Sequence, residues 1–193
     1  MAATISLVVG TLGALAISVA RRQRTSPLDV GLMLPLGTSA VTVGLGMIIT
    51  FDRAPFDWRG EWWLAPVGHS LIAVPFVVRT VLPVLRAVPA AHLDAAATLG
   101  ATPLRAWWEV AARRASRPVA VAAGLAAAIS LGEFGATTFL TRAGSETMPV
   151  VIARLLGRAG DIPRGQAFAM ATILFVVTAA VVVLADREET RHA

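Results

Sequence analysis

The sequence predicts an all-α protein that crosses a membrane several times. Hydrophobic residues make up 56% of the 193 residues and charged residues only 15%, and the mean hydropathy is +0.70. Soluble domains have about 45–50% apolar and about 25% charged residues. Five apolar stretches each approach the length of about 20 residues that a bilayer-spanning helix needs. Because backbone polar groups in lipid must be paired internally, a polytopic helical bundle is the predicted fold.

The five apolar stretches are continuous rather than alternating, so each is predicted to be a transmembrane helix. They cover roughly residues 2–20, 30–50, 63–82, 118–140 and 165–185. The first stretch is followed, not preceded, by the basic cluster Arg21-Arg22-Gln23-Arg24. This order of charge and apolar residues favours a retained helix over a cleaved signal peptide.

The positions of the arginines predict the orientation in the membrane. Basic residues accumulate in cytoplasmic loops, so the cluster at residues 21–24 is predicted to be cytoplasmic. With five spans, residues 83–117 and 186–193 then lie in the cytoplasm, and residues 51–62 lie outside. The protein is therefore predicted to be a multi-pass component of a prokaryotic plasma membrane.

The absence of several residue types excludes several classes of function. All 17 basic residues are arginine, and a P-loop or a Schiff base would need a lysine. There is no cysteine for a disulfide or a metal–thiolate site. No catalytic residue, metal site or cofactor is predicted. The net charge of +5 is attributed to loop orientation and anionic membrane lipid, with no nucleic acid as a partner.

The segment 88–117 is predicted to hold two short helices joined by a tight turn. Residues 90–99 are alanine-rich, and Gly100 is a natural residue to follow the end of a helix. Thr102 is predicted to cap the second helix and Pro103 to begin it.

Such a capped pair of helices between two spans favours a docking surface for another protein. Asp94 and Arg105 are predicted as charged anchors, and Trp107 and Trp108 as side chains at the membrane interface or in a partner's groove. A plain linker is the alternative. A DNA-binding helix–turn–helix is disfavoured, because this unit is tied to spans on both sides.

Two blocks of sequence resemble one known family. Residues 94–100, Asp-Ala-Ala-Ala-Thr-Leu-Gly, resemble the EAA loop of the binding-protein-dependent ABC transporter permeases, with aspartate in place of the usual glutamate. Residues 130–136, Ser-Leu-Gly-Glu-Phe-Gly-Ala, and the segment Glu-Thr-Met-Pro at 146–149 are similar to the iron(III) and thiamine branch of that family. The resemblance extends from the first span to the fifth, and it is to the C-terminal half of longer permeases.

The resemblance implies a single permease domain over residues 1–193, with a coupling loop at about 88–117. It implies three partners: a dimer of cytoplasmic ATP-binding subunits, an extracytoplasmic solute-binding protein, and a second permease half or a second copy of this chain. ATP hydrolysis is then expected in a partner and not in this chain. The residues that it implies for ATPase coupling are Asp94, Ala95, Ala96, Gly100, Arg105 and Glu109. The expected substrate is a small solute of the iron(III) or thiamine type.

Other functions remain open. The chain is alternatively a self-sufficient secondary transporter or channel, or a fragment of a longer two-half permease. A secondary transporter more often has several intramembrane ionisable groups or an internal repeat. The sequence shows one deep acid and no clear repeat.

Glu133 is that acid, and it is predicted to lie within the fourth span. Because an acid at this depth costs a few kcal/mol, it should face the bundle interior or an aqueous path. Together with Phe134 and Gly135 it is predicted to line the translocation pathway, with an interhelical hydrogen bond as the alternative role. His69, near the outer end of the third span, is predicted to pack or to form hydrogen bonds rather than to bind a metal.

Two further patterns concern assembly. A stripe of small residues four positions apart predicts close packing of the fourth span against another helix; it comprises Ser116, Ala120, Gly124, Ala128 and Gly132. An amphipathic helix is predicted in the last outer loop, with Met148, Val151, Ile152, Leu155 and Leu156 on one face and Arg154 and Arg158 on the other. It is expected to receive the binding protein, to cap the pathway or to pack on the bundle.

Overall fold

The computed structural model describes residues 1–19, 27–58, 60–141 and 144–190, and every regular element in these ranges is a helix. A 3-10 turn, Leu34–Gly37, follows α2, and a π-helix, Trp108–Ala112, joins α6 to α7. The all-α prediction is confirmed. The helices are α1 (Ala2–Val19), α2 (Pro27–Met33), α3 (Ala40–Phe51), α4 (Leu64–Arg86), α5 (Ala90–Thr98), α6 (Pro103–Trp107), α7 (Arg113–Gly132), α8 (Thr137–Leu140), α9 (Met148–Leu156) and α10 (Asp161–Thr190).

Helix α4 is the centre of the bundle, because it packs against both α1 and α7, while α7 in turn packs against α10. Val77, Val78 and Val81 of α4 have no exposed surface. A Cβ atom at Gly10 of α1 would lie 2.6 Å from the Cβ of Val77, so this glycine lets α1 approach α4 closely. The apolar core therefore lies along the length of α4.

The described residues contain fewer full-length candidate spans than the predicted five. In this part of the chain, three helical runs are long and apolar enough to cross a membrane: α4, residues 105–132, and residues 161–187 of α10. The bent pair α2–α3 makes a fourth if it forms one span, and the apolar part of α1, Ala2–Ser18, is shorter than the others. The described residues therefore support the predicted helical membrane bundle, with three or four candidate spans.

The second apolar stretch, predicted as one helix over residues 30–50, is broken. Helices α2 and α3 meet at an angle of 105°. Between them lie Pro35, which has no N–H to donate and clashes with the preceding turn, and Ser39 in extended backbone at φ −65° and ψ 137°. Helix α2 is tied to the end of α4 by an ion pair of Asp29 with Arg86, at 3.5 Å.

The fourth span begins earlier and ends earlier than predicted. The second loop helix does not stop short: α6, the π-helix and α7 form one run from Pro103 to Gly132. Alanine and arginine dominate the intervening residues and favour helix, although they lower the hydropathy. Helix α7 then ends at Gly132, and Glu133 takes extended backbone at φ −70° and ψ 118°. The prediction that Glu133 lies inside a helical span is therefore wrong.

Gly124 carries the small-residue packing that the sequence predicts for this helix. A Cβ atom added there would collide with the Cβ of Ala185 on α10. Ser116 and Gly132, at the two ends of the stripe, are exposed. Close contact between α7 and α10 therefore depends on the middle of the stripe.

The predicted outer amphipathic helix is present as α9, which packs against α10. Leu155 is buried, but Leu156 is 50% exposed, so the predicted apolar face is only partly covered. Arg154 forms an ion pair with Glu146. The cluster Arg21–Arg24, on which the predicted orientation depends, lies outside the described residues. The end of the bundle that carries α5 is called the inner end below, in line with that prediction.

Candidate functional site

The turn at the inner end is built by Gly100. Helix α5 ends at Thr98, and Gly100 has a positive φ of 84°. Its N–H donates to the carbonyl of Ala97 at 2.9 Å, and the N–H of Ala101 donates to the carbonyl of Ala96 at 3.0 Å. These two bonds form a Schellman motif, in which glycine is favoured because L side chains rarely adopt that backbone. The predicted role of Gly100 as the helix stop is confirmed.

The start of the second helix also matches the prediction. Helix α6 begins at Pro103, and the backbone N–H of Arg105 donates to the hydroxyl oxygen of Thr102 at 3.4 Å. Arg105 also donates to Glu109 at 2.9 Å, one turn further on. Helices α5 and α6 pack against each other, so the two form a compact hairpin, which we call the coupling hairpin (residues 90–109).

The coupling hairpin exposes most of its side chains. All nine residues of α5 are described and none is buried. Asp94, Ala95, Gly100, Arg105 and Glu109 are exposed, and Ala96 is half-buried. Two large apolar side chains are exposed as well: Leu99 at 89% and Trp108 at 65%. Leu99 was missed at the sequence level, although an apolar residue directly before the turn glycine is the signal that could have found it.

A second polar site lies in the outer half of the bundle around His69. This residue of α4 is 5% exposed. Its Nδ1 lies 3.2 Å from the hydroxyl oxygen of Ser130 on α7, and its Nε2 lies 2.5 Å from that of Thr137 on α8. The predicted hydrogen-bonding role of His69 is confirmed, and a single imidazole connects three helices.

The direction of these bonds follows from the hydroxyl of Thr137. That hydroxyl donates its only hydrogen to the backbone carbonyl of Glu133 at 2.9 Å. With that hydrogen on the carbonyl, the tautomer of His69 that fits the geometry donates from Nε2 to Thr137. In the neutral ring Nδ1 is then the acceptor, and Ser130 donates to it. Ser130 and Thr137 were missed at the sequence level; their positions three residues before and four after Glu133 are the available signal.

Glu133 itself lies in the break between α7 and α8. It is 9% exposed, and its Oε1 accepts a hydrogen bond from the N–H of Ala136 at 2.8 Å. The carboxylate therefore caps the turn that leads into α8, whose own N-cap residue, Ala136, makes no side-chain cap bond. The predicted alternative was a hydrogen bond from Glu133 to another helix. The bond found for Oε1 is instead to the backbone N–H of Ala136, three residues further along the chain.

The three predicted pathway residues have different surroundings. Phe134 is 43% exposed. Gly135 faces α3, where an added Cβ would lie 3.1 Å from both the Cβ of Ala40 and the backbone nitrogen of Val41. Glu133, Phe134 and Gly135 are thus consecutive in sequence but do not line one common cavity.

The cleft nearest to this site opens at the outer end and has a volume of about 410 Å³. His69 and Ser130 line it, together with Glu61, Trp62, Ser145 and Thr147. This cleft reaches the His69 cluster. Within the described ranges, no group of three or more histidine, aspartate or glutamate residues is placed to hold a metal ion.

A helical membrane bundle with polar groups buried in its outer half and an exposed hairpin at its inner end has the organisation of a membrane transport component. Comparison with known families gives a more specific assignment. Residues 4–191 match the family described as binding-protein-dependent transport system inner membrane component. The chain belongs to this family, and the predicted multi-pass location in the inner membrane is confirmed.

Several curated proteins are similar to this chain. The putative 2-aminoethylphosphonate transport system permease protein PhnV of Salmonella typhimurium is 28% identical over 177 residues, which cover 89% of this chain and 64% of the relative. The sulfate transport system permease protein CysT of Escherichia coli is 34% identical over 125 residues, covering 58% and 44%. The molybdenum transport system permease protein ModB of Mycobacterium tuberculosis is 32% identical over 196 residues, covering 92% and 70%.

The chain therefore spans about two thirds of the length of its phosphonate-type relatives, 64%. The family resemblance seen in the sequence is confirmed. The printed names of these relatives refer to phosphonate, sulfate and molybdenum, and none of them supports the iron(III) or thiamine branch.

Proposed function

We propose that this chain is the membrane-spanning permease of a binding-protein-dependent ABC importer, acting as one permease domain over residues 1–193. It moves a small solute across the inner membrane while a separate subunit hydrolyses ATP. The observation that carries this proposal is the coupling hairpin, which is rigidly built around Gly100 yet exposes Leu99 and Trp108.

The coupling hairpin docks on the cytoplasmic ATP-binding subunit. Leu99 remains 89% exposed in the folded chain. Its apolar side chain is therefore available for burial against a partner protein. Ala95 and Ala96 leave room for a close approach, while Asp94 and Arg105 supply charges for the rim of the contact. Because Leu99 directly precedes Gly100, the backbone angle at Gly100 sets how the Leu99 side chain is oriented relative to α6.

Two substitutions test this docking. Gly100→Val forces a β-branched residue into left-handed backbone, and Asp94→Arg reverses the charge on α5. Both are expected to abolish co-purification of the ATP-binding subunit or substrate-stimulated ATP hydrolysis in reconstituted vesicles. The matched controls are Gly144→Val, at another glycine with positive φ of 89°, and Asp57→Arg, an exposed acid of the outer loop. Wild-type association and stimulation in both hairpin variants would reduce this segment to a linker.

The translocation path is proposed to pass the break between α7 and α8. The break places a buried carboxylate, Glu133, beside the two following residues, Phe134 and Gly135. The cleft lined by His69 and Ser130 forms the outer mouth of this path. The support is the burial of two ionisable side chains at membrane depth, where such groups are costly and are usually functional.

For the substrate we propose a small phosphonate or oxyanion. The support is the set of substrates in the names of the relatives, 2-aminoethylphosphonate, sulfate and molybdenum. The motifs at residues 130–136 and 146–149 favour iron(III) or thiamine instead. Binding measurements on the partner solute-binding protein, with each of these ligands, separate the two proposals.

The proposed assembly has three partners: a dimer of ATP-binding subunits at the inner end, a solute-binding protein at the outer end near α9, and a second permease half or a second copy of this chain. The competing proposal is a self-sufficient secondary transporter or channel. Vesicles that contain this chain without an ATP-binding subunit should show no uptake. Uptake driven by an ion gradient alone would favour the competing proposal.

A further inference from the structure

A basic groove lies at the inner end of the bundle, beside the coupling hairpin. It has a volume of about 790 Å³ and is formed where α4, α5 and the start of α7 meet. Val84 of α4 and His92 of α5 form one side. The other side is a single helical stretch that contributes Glu109, Val110, Arg113, Arg114 and Arg117.

The three arginines of the groove share one face of α7. Successive helical residues are about 100° apart, so Arg113, Arg114 and Arg117 fall within a sector of about 100°. All three are exposed, and in the described part of the chain none of them is in a salt bridge. The one acid of the groove, Glu109, is already bonded to Arg105. Glu109 also interacts electrostatically with Arg113, so the groove presents three guanidinium groups against a single carboxylate and keeps an excess of positive charge.

The groove also lies at the boundary of a membrane span. The apolar part of α7 begins directly after Arg117, within the run Arg105–Gly132 that is long enough to cross a bilayer. The 20 residues of α7 extend about 30 Å, the hydrocarbon thickness of a bilayer. The apolar residues 118–132 account for about 22 Å of this length, so the long arginine side chains before them extend towards the interface. The arginines at its start then reach the level of the lipid phosphates, and Trp108, 65% exposed, is of the type enriched at that level.

We propose that this groove binds the phosphate group of an anionic lipid of the inner leaflet. The guanidinium groups of Arg113, Arg114 and Arg117 donate hydrogen bonds to the phosphate oxygens, because planar N–H donors match phosphate geometry. Val84 and Val110 give the groove an apolar wall against which an acyl chain packs. This wall, and the position at the start of a span, favour a lipid over a soluble phosphate. The site shares His92 and Glu109 with the coupling hairpin, but lipid binding is measured on this chain alone and does not depend on the proposed docking.

The bound lipid would contact three helices at once. His92 belongs to α5, Val84 to α4 and the arginines to α7. A headgroup in the groove therefore bridges the coupling hairpin to two spans, and anionic lipid is expected to stabilise the position of the hairpin.

The test uses the purified full chain in detergent. Binding of short-chain phosphatidylglycerol is measured by native mass spectrometry. Phosphatidylcholine is the zwitterionic comparison, whose ammonium group neutralises the phosphate charge. The groove variant is R113Q/R114Q/R117Q, since glutamine keeps the helix and removes the charge. The control variant R53Q/R158Q/R164Q removes the same charge from exposed arginines elsewhere. A basic residue near an anionic leaflet contributes about a fivefold gain in binding, so the groove variant should bind phosphatidylglycerol about a hundredfold more weakly.

Loss in the groove variant alone, and only for phosphatidylglycerol, supports the site. Equal loss in both triple variants would assign the binding to overall charge and overturn it. Displacement of the lipid by millimolar inorganic phosphate would show a soluble-anion site and overturn the choice of a lipid. If the triple variant is misfolded by its melting curve, the single variant Arg114→Gln decides: a fivefold loss supports the proposal, and wild-type affinity overturns it.

Discussion

His69 is a single buried imidazole on which the contact of three helices depends. Both of its ring nitrogens have hydroxyl partners, on Ser130 and Thr137. When the imidazole is removed, the two hydroxyls lose their common partner. His69 therefore adds a polar link to the apolar packing of α4 against α7 and α8.

His69→Ala should destabilise the bundle by about 1–2 kcal/mol, because two hydrogen bonds are lost and membrane hydrogen bonds contribute about 0.6 kcal/mol each on average, with a cavity added. Unfolding in detergent monitored by circular dichroism measures this. The matched control is Ser70→Ala, whose hydroxyl bonds only to the carbonyl of Val67 in its own helix, at 2.7 Å. An equal effect of both variants would contradict the linking role of His69.

Substitutions at Glu133 can separate its role as a backbone hydrogen-bond acceptor from a role of its charge in transport. Its Oε1 accepts from the N–H of Ala136 at 2.8 Å, and glutamine keeps such an oxygen while alanine does not. Glu133→Ala should cost about 1 kcal/mol of stability through the lost cap, and Glu133→Gln much less.

If the charge of Glu133 belongs to the pathway, the glutamine variant should insert, assemble and melt as the wild type does, yet lose uptake in proteoliposomes. Normal uptake by Glu133→Gln would remove the charge from the mechanism and leave the cap as its role.

The residues differ in how well the sequence predicts them, for a physical reason. Gly100 was predicted because a helix end is decided by the local backbone, and glycine adopts its φ of 84° without strain. Thr137 was not predicted as a partner of His69, because they are 68 positions apart and only the packing of α8 on α4 brings them together. Local backbone conformation depends on neighbouring residues and can be predicted from them. Hydrogen-bond partners on different helices depend on how the helices pack, which the sequence does not show directly.

At the scale of helices, hydropathy predicted where the apolar segments lie but not where they are interrupted. The stretch over 30–50 is apolar throughout, yet Pro35 and the extended Ser39 separate α2 from α3 by a 105° bend. Conversely, the arginines at 113–117 lower the hydropathy without stopping the helix that runs from α6 into α7. Hydropathy reports the environment of a segment, and the continuity of a helix depends on its backbone groups.

The contact of α7 with α10 supplies a test at this scale. Gly124→Ala places a methyl group where the Cβ of Ala185 already lies, and it should destabilise the α7–α10 contact by about 1–3 kcal/mol. Gly132→Ala is the control on the same helix, because an added Cβ there meets nothing within 4 Å.

Thermal unfolding in detergent compares the two variants. The Gly132 variant should melt like the wild type, and an indistinguishable melting temperature for the Gly124 variant would contradict the packing of α10 described here.

The whole molecule adds a prediction about orientation. With the coupling hairpin in the cytoplasm, Thr98→Cys should resist a membrane-impermeant maleimide in intact cells and react after permeabilisation. Asp57→Cys, in the exposed outer loop, should react in both cases. The chain has no cysteine of its own, so each variant carries one reactive site. Labelling of position 98 from outside would reverse the orientation.

The helical class was predictable from composition, because a chain with 56% hydrophobic residues has few alternatives to a membrane bundle. The number of candidate spans among the described residues was not, because α2 and α3 are bent by 105°, and a window of apolar residues does not measure a bend.

The unbroken helical run from Pro103 to Gly132 has a mechanical consequence. A helix of that length is about 45 Å long and resists compression along its axis, since each backbone group is braced by the next turn. One end of this helix belongs to the coupling hairpin, and Ser130, near the other end, contacts the imidazole of His69. We therefore expect a displacement of the coupling hairpin to be carried along the helix axis towards the His69 cluster.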